Sequence, residues 1–117
     1  MLKSITTTLL TAFVALAPQL AYAQEGTAVF YSDIFQGHTT ASGEVFNQNR
    51  ATAAHKSLPF GTRVKVTNLE NDKSVEVTIN DRMPSRNSNL IDLSRSAART
   101  IGMERKGVVN VRVEVIE

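Results

Sequence analysis

The sequence predicts an all-β fold, a small closed barrel with one or two short helices. Residues 24–117 hold eleven Val, five Ile and eight Thr against four Leu, a composition suited to pleated strands rather than helices. Apolar and polar residues alternate in several short runs, and about six such strands cannot form an open sheet without exposing unpaired edges, which closure removes. In chain order, Thr27 to Tyr31 reads as a strand and Thr52 to His55 as a shorter extended piece. Val64 and Val66 alternate with Arg63 and Lys65, and Val75, Val77 and Ile79 with Ser74, Glu76 and Thr78, so each run is a half-buried strand. The polar stretch from Asn68 to Lys73 between them suits a hairpin loop. Leu90 to Leu93 is another short extended piece. A helix follows from Ser94 through Ala97 and Ala98 to Ile101, with Ser94 or Asp92 as N-cap and Gly102 as its stop. Val109, Val111, Val113 and Val115 alternate with Asn110, Arg112 and Glu114 as the last strand. No linker or internal repeat divides the chain, which reads as one domain.

The amino-terminal stretch is different. Fifteen of the first 23 residues are apolar, against 34 of the remaining 94. Lys3, the run from Leu9 to Ala17 and the A-x-A sequence Ala21-Tyr22-Ala23 form a secretory signal peptide, residues 1–23, leaving 24–117 as the exported domain. A membrane span needs about 20 continuous apolar residues, and Pro18 with Gln19 interrupts this run too early. No cysteine occurs anywhere, which excludes disulfides, thiolate metal sites, a catalytic thiol and a lipid attachment point. Twelve positive side chains against eleven negative ones in 24–117, scattered singly, disfavour a nucleic-acid partner.

Three polar clusters interrupt the strand pattern: Thr40-Ala41-Ser42-Gly43-Glu44, Thr52-Ala53-Ala54-His55 and Asn80-Asp81-Arg82. If its strand continues regularly, Asp81 follows Val75, Val77 and Ile79 onto the apolar face, where lost hydration would raise its pKa and make it a proton donor. The other reading of Asp81 is a turn residue ahead of Pro84. Glu44 reads as a loop carboxylate, and His55 either as a hydrogen-bonded structural residue or as part of a site that the small residues before it allow another segment to approach. His38 reads as a surface residue. His55, Asp81 and Glu44 could bind a metal chemically, but no ligand spacing supports it, and no cofactor is expected. Asp92 reads as a structural residue bonding the free amides of the helix start. Arg63, Arg82 and Arg86 could line a groove. Of the aromatics, Phe30, Tyr31, Phe35 and Phe46 are candidates for an exposed sugar-stacking cluster, with Phe30 and Phe60 the stronger candidates for filling the barrel.

Together "TASGEVF", "TAAHKSLPFGTRVKVTNL", "VTINDRMP" and "IDLSRSAARTIGM" resemble the domain of the rare lipoprotein A (RlpA) family of bacterial lytic transglycosylases, over nearly all of 26–117. The resemblance implies a six-stranded double-psi β-barrel, shared with expansins. It also implies endolytic cleavage of peptidoglycan glycan strands lacking stem peptides, giving 1,6-anhydro-muramyl products. The family's active-site cluster falls on Glu44, His55 and Asp81. Asp81 is then expected to be the acid/base, His55 to orient it or share its proton, and Glu44 to stabilise positive charge on the sugar, with all three meeting in one cavity. Tyr31, Thr40, Ser42, Asn80 and Arg82 are the expected substrate-binding residues.

The chain departs from the family pattern in two ways. Met83 stands where relatives usually have Gly, and a bulky side chain there would narrow the cleft or alter its turn. The lipid-bearing cysteine and the septal-targeting repeat are missing, so a free monomer in the periplasm or outside the cell is expected. Two other functions fit the same features: a noncatalytic, expansin-like wall-polysaccharide-binding module, and a secreted barrel that binds a protein partner.

Overall fold

A computed structural model describes residues 22–117 of the protein; the signal peptide, apart from its last two residues, lies outside the described residues. Six strands form the wall: β1 (Ala23–Phe30), β2 (Thr52–His55), β3 (Arg63–Asn68), β4 (Ser74–Arg82), β5 (Ile91–Leu93) and β6 (Val109–Val115). They close in the order β1-β5-β2-β4-β3-β6. Two pairs, β1 with β5 and β2 with β4, are parallel, and the other four are antiparallel. This is the six-stranded double-psi β-barrel, and no wall strand is left with a free edge.

The alternation seen in the sequence builds the interior. Val64, Val66, Val77, Ile79, Val111 and Val113 are buried inside the barrel, while Arg63, Lys65 and Glu76 between them face water. The hairpin joining β3 to β4 closes with Asn68 N–H donating to Lys73 O at 2.8 Å. The buried Asn68 amide then donates to Ile101 O at 2.9 Å, tying the hairpin to the helix end.

The helix α1 (Arg95–Thr100) plugs the barrel with Ala97 and Ala98, and Ile101 and Met103 follow into the same core. Ser94 is its N-cap, with Oγ accepting from Ala97 N. Asp92 is not a cap: it lies inside β5, two residues before the N-cap Ser94. Gly102, at φ 71°, supplies the left-handed residue that ends the helix. The first strand starts earlier than expected, at Ala23, because its pairing with β6 runs from Ala23 opposite Glu114.

Ser94 Oγ also lies 3.4 Å from Thr52 N. Ser94→Ala is therefore expected to lower the unfolding free energy by about 1 kcal/mol in urea titration; an unchanged midpoint would show that the helix is held by something other than this cap.

Candidate active site

The site is built on the outer face of the barrel, and an irregularity in β4 puts it there. Ala53 pairs with Ile79, but the next residue, Ala54, pairs with Asp81, so Asn80 is an extra residue in the β4 ladder. Side chains alternate with period two, so one inserted residue reverses every side chain after it. Ile79 and Ala53 point into the core, whereas Ala54 belongs to a second, outer cluster with Tyr31, Phe46 and Met83. Asp81 goes with Ala54. The regular-strand reading of Asp81 on the apolar inner face is thus overturned by the bulge.

On the other side of β2, Ala54 pairs with Asp92 of β5. Ile91 and Leu93 are buried in the core, so Asp92 faces outward as Asp81 does. The two aspartates flank Ala54 from adjacent strands and line one cavity of about 400 Å³, together with Tyr31, Phe35, Thr40 and Met83 among others. Ala54 has only a methyl group, which leaves the space between them open.

The two carboxyls have opposite surroundings. Three donors converge on Asp81: the Tyr31 hydroxyl on Oδ2 at 2.6 Å, and Ala41 N–H and Arg82 N–H on Oδ1 at 2.8 and 2.9 Å. This arrangement holds an anion in place. Asp92 Oδ1 is buried and has no hydrogen-bond partner among the described residues. Burial, and then the negative charge of Asp81, push the Asp92 carboxyl up to about 6. Burial also raises the Tyr31 phenol, with its hydrogen bond to Asp81 adding to the effect, so it remains a donor.

The loop between β1 and β2 forms the cavity wall. Tyr31 and Phe46 stack at 4.2 Å between ring centroids, and Phe35 meets Tyr31 edge-on at 5.9 Å. Tyr31 and Phe46, expected in an exposed cluster, are buried; Phe35 is 42% exposed. The reverse holds for Phe60, which lies outside the barrel at 43% exposure under the Arg82 guanidinium. Gln48 anchors this loop to the helix, its amide donating to Tyr31 O and Asp33 and accepting from Arg95 N at 2.7 Å. Exposed His38 sits at the rim, edge-on to Phe35. Met83 packs into the outer cluster and lines the cavity with Asp81 and Asp92.

The structure separates the other expected site residues. Glu44 lines a neighbouring cavity of about 290 Å³ with Asn80 and Arg50, and its carboxylate accepts from the Asn80 amide at 3.0 Å. His55, 2% exposed, lines neither cavity. Asp81, His55 and Glu44 therefore do not meet in one cavity. Of the expected substrate-binding residues, Tyr31, Thr40 and Arg82 line the cavity with Asp81, and Asn80 lines the one with Glu44. The Thr40 and Ser42 hydroxyls bond each other, and that of Thr40 also bonds Glu44 O, within their own turn. Arg82 Nη1 is held by the His55 and Leu58 carbonyls. The residue missed is Asp92, although its place between Ile91 and Leu93 carried the parity signal.

Residues 23–113 match the family model described as lytic transglycolase. The chain belongs to that family. It is 53% identical over 96 residues to the "Endolytic peptidoglycan transglycosylase RlpA" of Pasteurella multocida, an alignment covering 82% of this chain and 33% of that one. It is 50% identical over 92 residues to the protein of the same name from Campylobacter jejuni, covering 79% and 34%. The chain thus spans about a third of the length of these curated relatives. Among solved structures, Streptomyces papain inhibitor aligns with a TM-score of 0.67 at 22% identity, covering 82% of this chain and 96% of that one. An expansin from Clavibacter michiganensis aligns at 0.66 and 24%, covering 82% and 51%. Both share the barrel fold of this lytic transglycolase domain.

A folded-state pKa raised above the unfolded one means that folding favours protonation of Asp92. Its contribution to stability is full below the ordinary carboxylate range and is lost as pH rises through about 6. Relative to Asp92→Asn, the parent chain is expected to gain unfolding free energy as pH falls from about 7 to about 4; a pH-independent difference would contradict this environment for Asp92.

Proposed function

We propose that the domain is an endolytic peptidoglycan lytic transglycosylase that cleaves glycan strands, preferring those without stem peptides, to 1,6-anhydro-muramyl products. The observation that carries the reading is the pair of carboxyls in one cavity, one held as an anion by three donors and the other poised as an acid. The family and the names of the relatives support the substrate class. The cavity volume is within the range of small-ligand sites, about 300–1,000 Å³.

Protonated Asp92 gives its proton to the glycosidic oxygen as the C1–O bond breaks and the electron pair leaves with that oxygen. Positive charge develops at C1 and the ring oxygen, and the Asp81 carboxylate, fixed by Tyr31, Ala41 N–H and Arg82 N–H, stabilises it. The muramyl C6 hydroxyl attacks C1 and passes its proton to the Asp92 carboxylate, restoring the acid. No water is consumed and no redox change occurs. The reaction therefore needs one acid/base group, and the second carboxylate acts electrostatically rather than as the nucleophile or water activator of a hydrolase. These roles exchange the acid/base from Asp81 to Asp92. Glu44 serves by holding Asn80, the inserted residue, and Phe35, the exposed ring of the cavity wall, offers a face to the sugar. The leader sequence supports export, and we propose a free monomer acting in the periplasm or outside the cell.

Incubating the domain with sacculi stripped of stem peptides, and weighing the dissolved products by mass spectrometry, tests the reading. Anhydro ends are expected; reducing ends would indicate a hydrolase, and co-sedimentation without release a binding module. Asp92→Asn is expected to slow release by about 10²–10⁴-fold, and Asp81→Asn by about 10²-fold or more. kcat/KM should fall as pH rises above about 6, because the free enzyme must carry the Asp92 proton. In Asp81→Asn this limb should move to lower pH, since a like charge has been removed.

A further inference from the structure

We infer that His55 is a positioning residue whose imidazole serves as a neutral acceptor for two backbone amides and carries no proton to or from the sugar. The inference rests on the lytic reading above for its activity readout, but its geometry stands alone. Ser57 N–H and Leu58 N–H both donate to His55 Nδ1, each at 3.1 Å. A ring nitrogen that accepts two amides carries no proton, which puts the single imidazole proton on Nε2, 3.3 Å from the acceptor Gln24 Oε1.

The ring is also on the wrong side for chemistry. Ala54 faces the cavity between Asp81 and Asp92, so the next residue of β2 turns to the opposite face. His55 pairs there with Ile91, a core residue. His55 lines neither cavity, and its Nε2 lies beside Gln24 rather than beside either aspartate. The groups around the ring keep it neutral: burial acts first, then the charges of Arg82 from β4 and Lys56 beside it, all lowering its pKa. Gln24, in β1, is an uncharged neighbour of the ring.

The imidazole shapes a turn that the site uses. With two amides gathered onto Nδ1, residues 55–58 curl so that the His55 and Leu58 carbonyls both accept from Arg82 Nη1, at 3.1 and 2.8 Å. The His55 carbonyl also accepts from Met83 N–H at 3.2 Å. Arg82, further fixed over the Phe60 ring at 4.5 Å to its centroid, directly follows Asp81 and donates its own N–H to that carboxylate. His55 thus holds the end of β4 just beyond the bulge, and through it the direction of Asp81.

Asparagine separates the two roles. In His55→Asn the side-chain carbonyl oxygen replaces Nδ1 at the same number of bonds from the backbone and can accept the same amides, but it cannot relay a proton. Release of anhydro products by His55→Asn is expected to stay close to the parent rate, whereas His55→Ala, which frees the turn, should lose about a hundredfold. Hydrogen exchange at the Ser57 and Leu58 amides should be slow in the parent and in His55→Asn and fast in His55→Ala. A His55→Asn chain with both amides protected and release nevertheless down by about 10²–10⁴-fold would overturn the inference, because the imidazole itself would then be needed. Should His55→Asn fail to fold, the ¹⁵N spectrum of the parent imidazole decides: a proton on Nε2 alone supports the inference, and one on Nδ1 overturns it. A parent chain that releases nothing would defeat the lytic reading, while the exchange and ¹⁵N measurements would still judge the role of His55.

Discussion

One extra residue in one strand is the constraint on which the site depends. Without Asn80 as an insertion, β4 would carry Asp81 into the barrel beside Val77 and Ile79, where a carboxylate has no donors. With it, Asp81 crosses to the outer face. A bulge leaves its extra residue outside the ladder and needs support from elsewhere. Here the support is distributed: Glu44 accepts from the Asn80 amide, Ser42 N–H donates to the Asn80 carbonyl, Ala41 N–H donates to Asp81, and the 55–58 turn grips Arg82. The loop between β1 and β2 and the turn after β2 are therefore parts of one device for aiming a carboxylate.

The chemistry follows from a contrast between two identical side chains. Asp81 has a phenol and two backbone amides; Asp92 has a buried oxygen with none. Donors favour the charged form, while burial beside a negative charge favours the neutral one. The difference is built by strand register, since Ala54 pairs with both residues and brings them to the same face. The charge of Asp81 adds to burial in raising the Asp92 carboxyl, so removing it should lower the Asp92 titration.

Much of the fold was legible in local sequence because it rests on period-two alternation: β3, β6 and β4 as far as Ile79 follow it without a break. The cap and stop of α1 were equally local, in Ser94 and Gly102. What escaped was set by distant partners. Asn80 has no glycine beside it to mark a bulge, so strand parity alone turns Asp81 inward. Asp92 lies near Ser94 and so reads as part of the helix start, yet the alternation Ile91-Asp92-Leu93 sets it opposite two core residues. Tyr31 and Phe46 are buried against each other across a loop of fourteen intervening positions, a contact that no local pattern reports. His55 shows both sides of the problem: its burial matched the structural reading, while the amides it accepts depend on the turn that follows.

The central claim is that Asp92 holds a proton under conditions where an ordinary aspartate does not, because it is buried without donors beside charged Asp81. A ¹³C carboxyl NMR titration of the whole domain, comparing the parent chain with Asp81→Asn, tests this most directly. An Asp92 midpoint of about 6 is expected, moving down when the neighbouring charge is removed. An Asp92 midpoint in the ordinary carboxylate range, unmoved by Asp81→Asn, would contradict it.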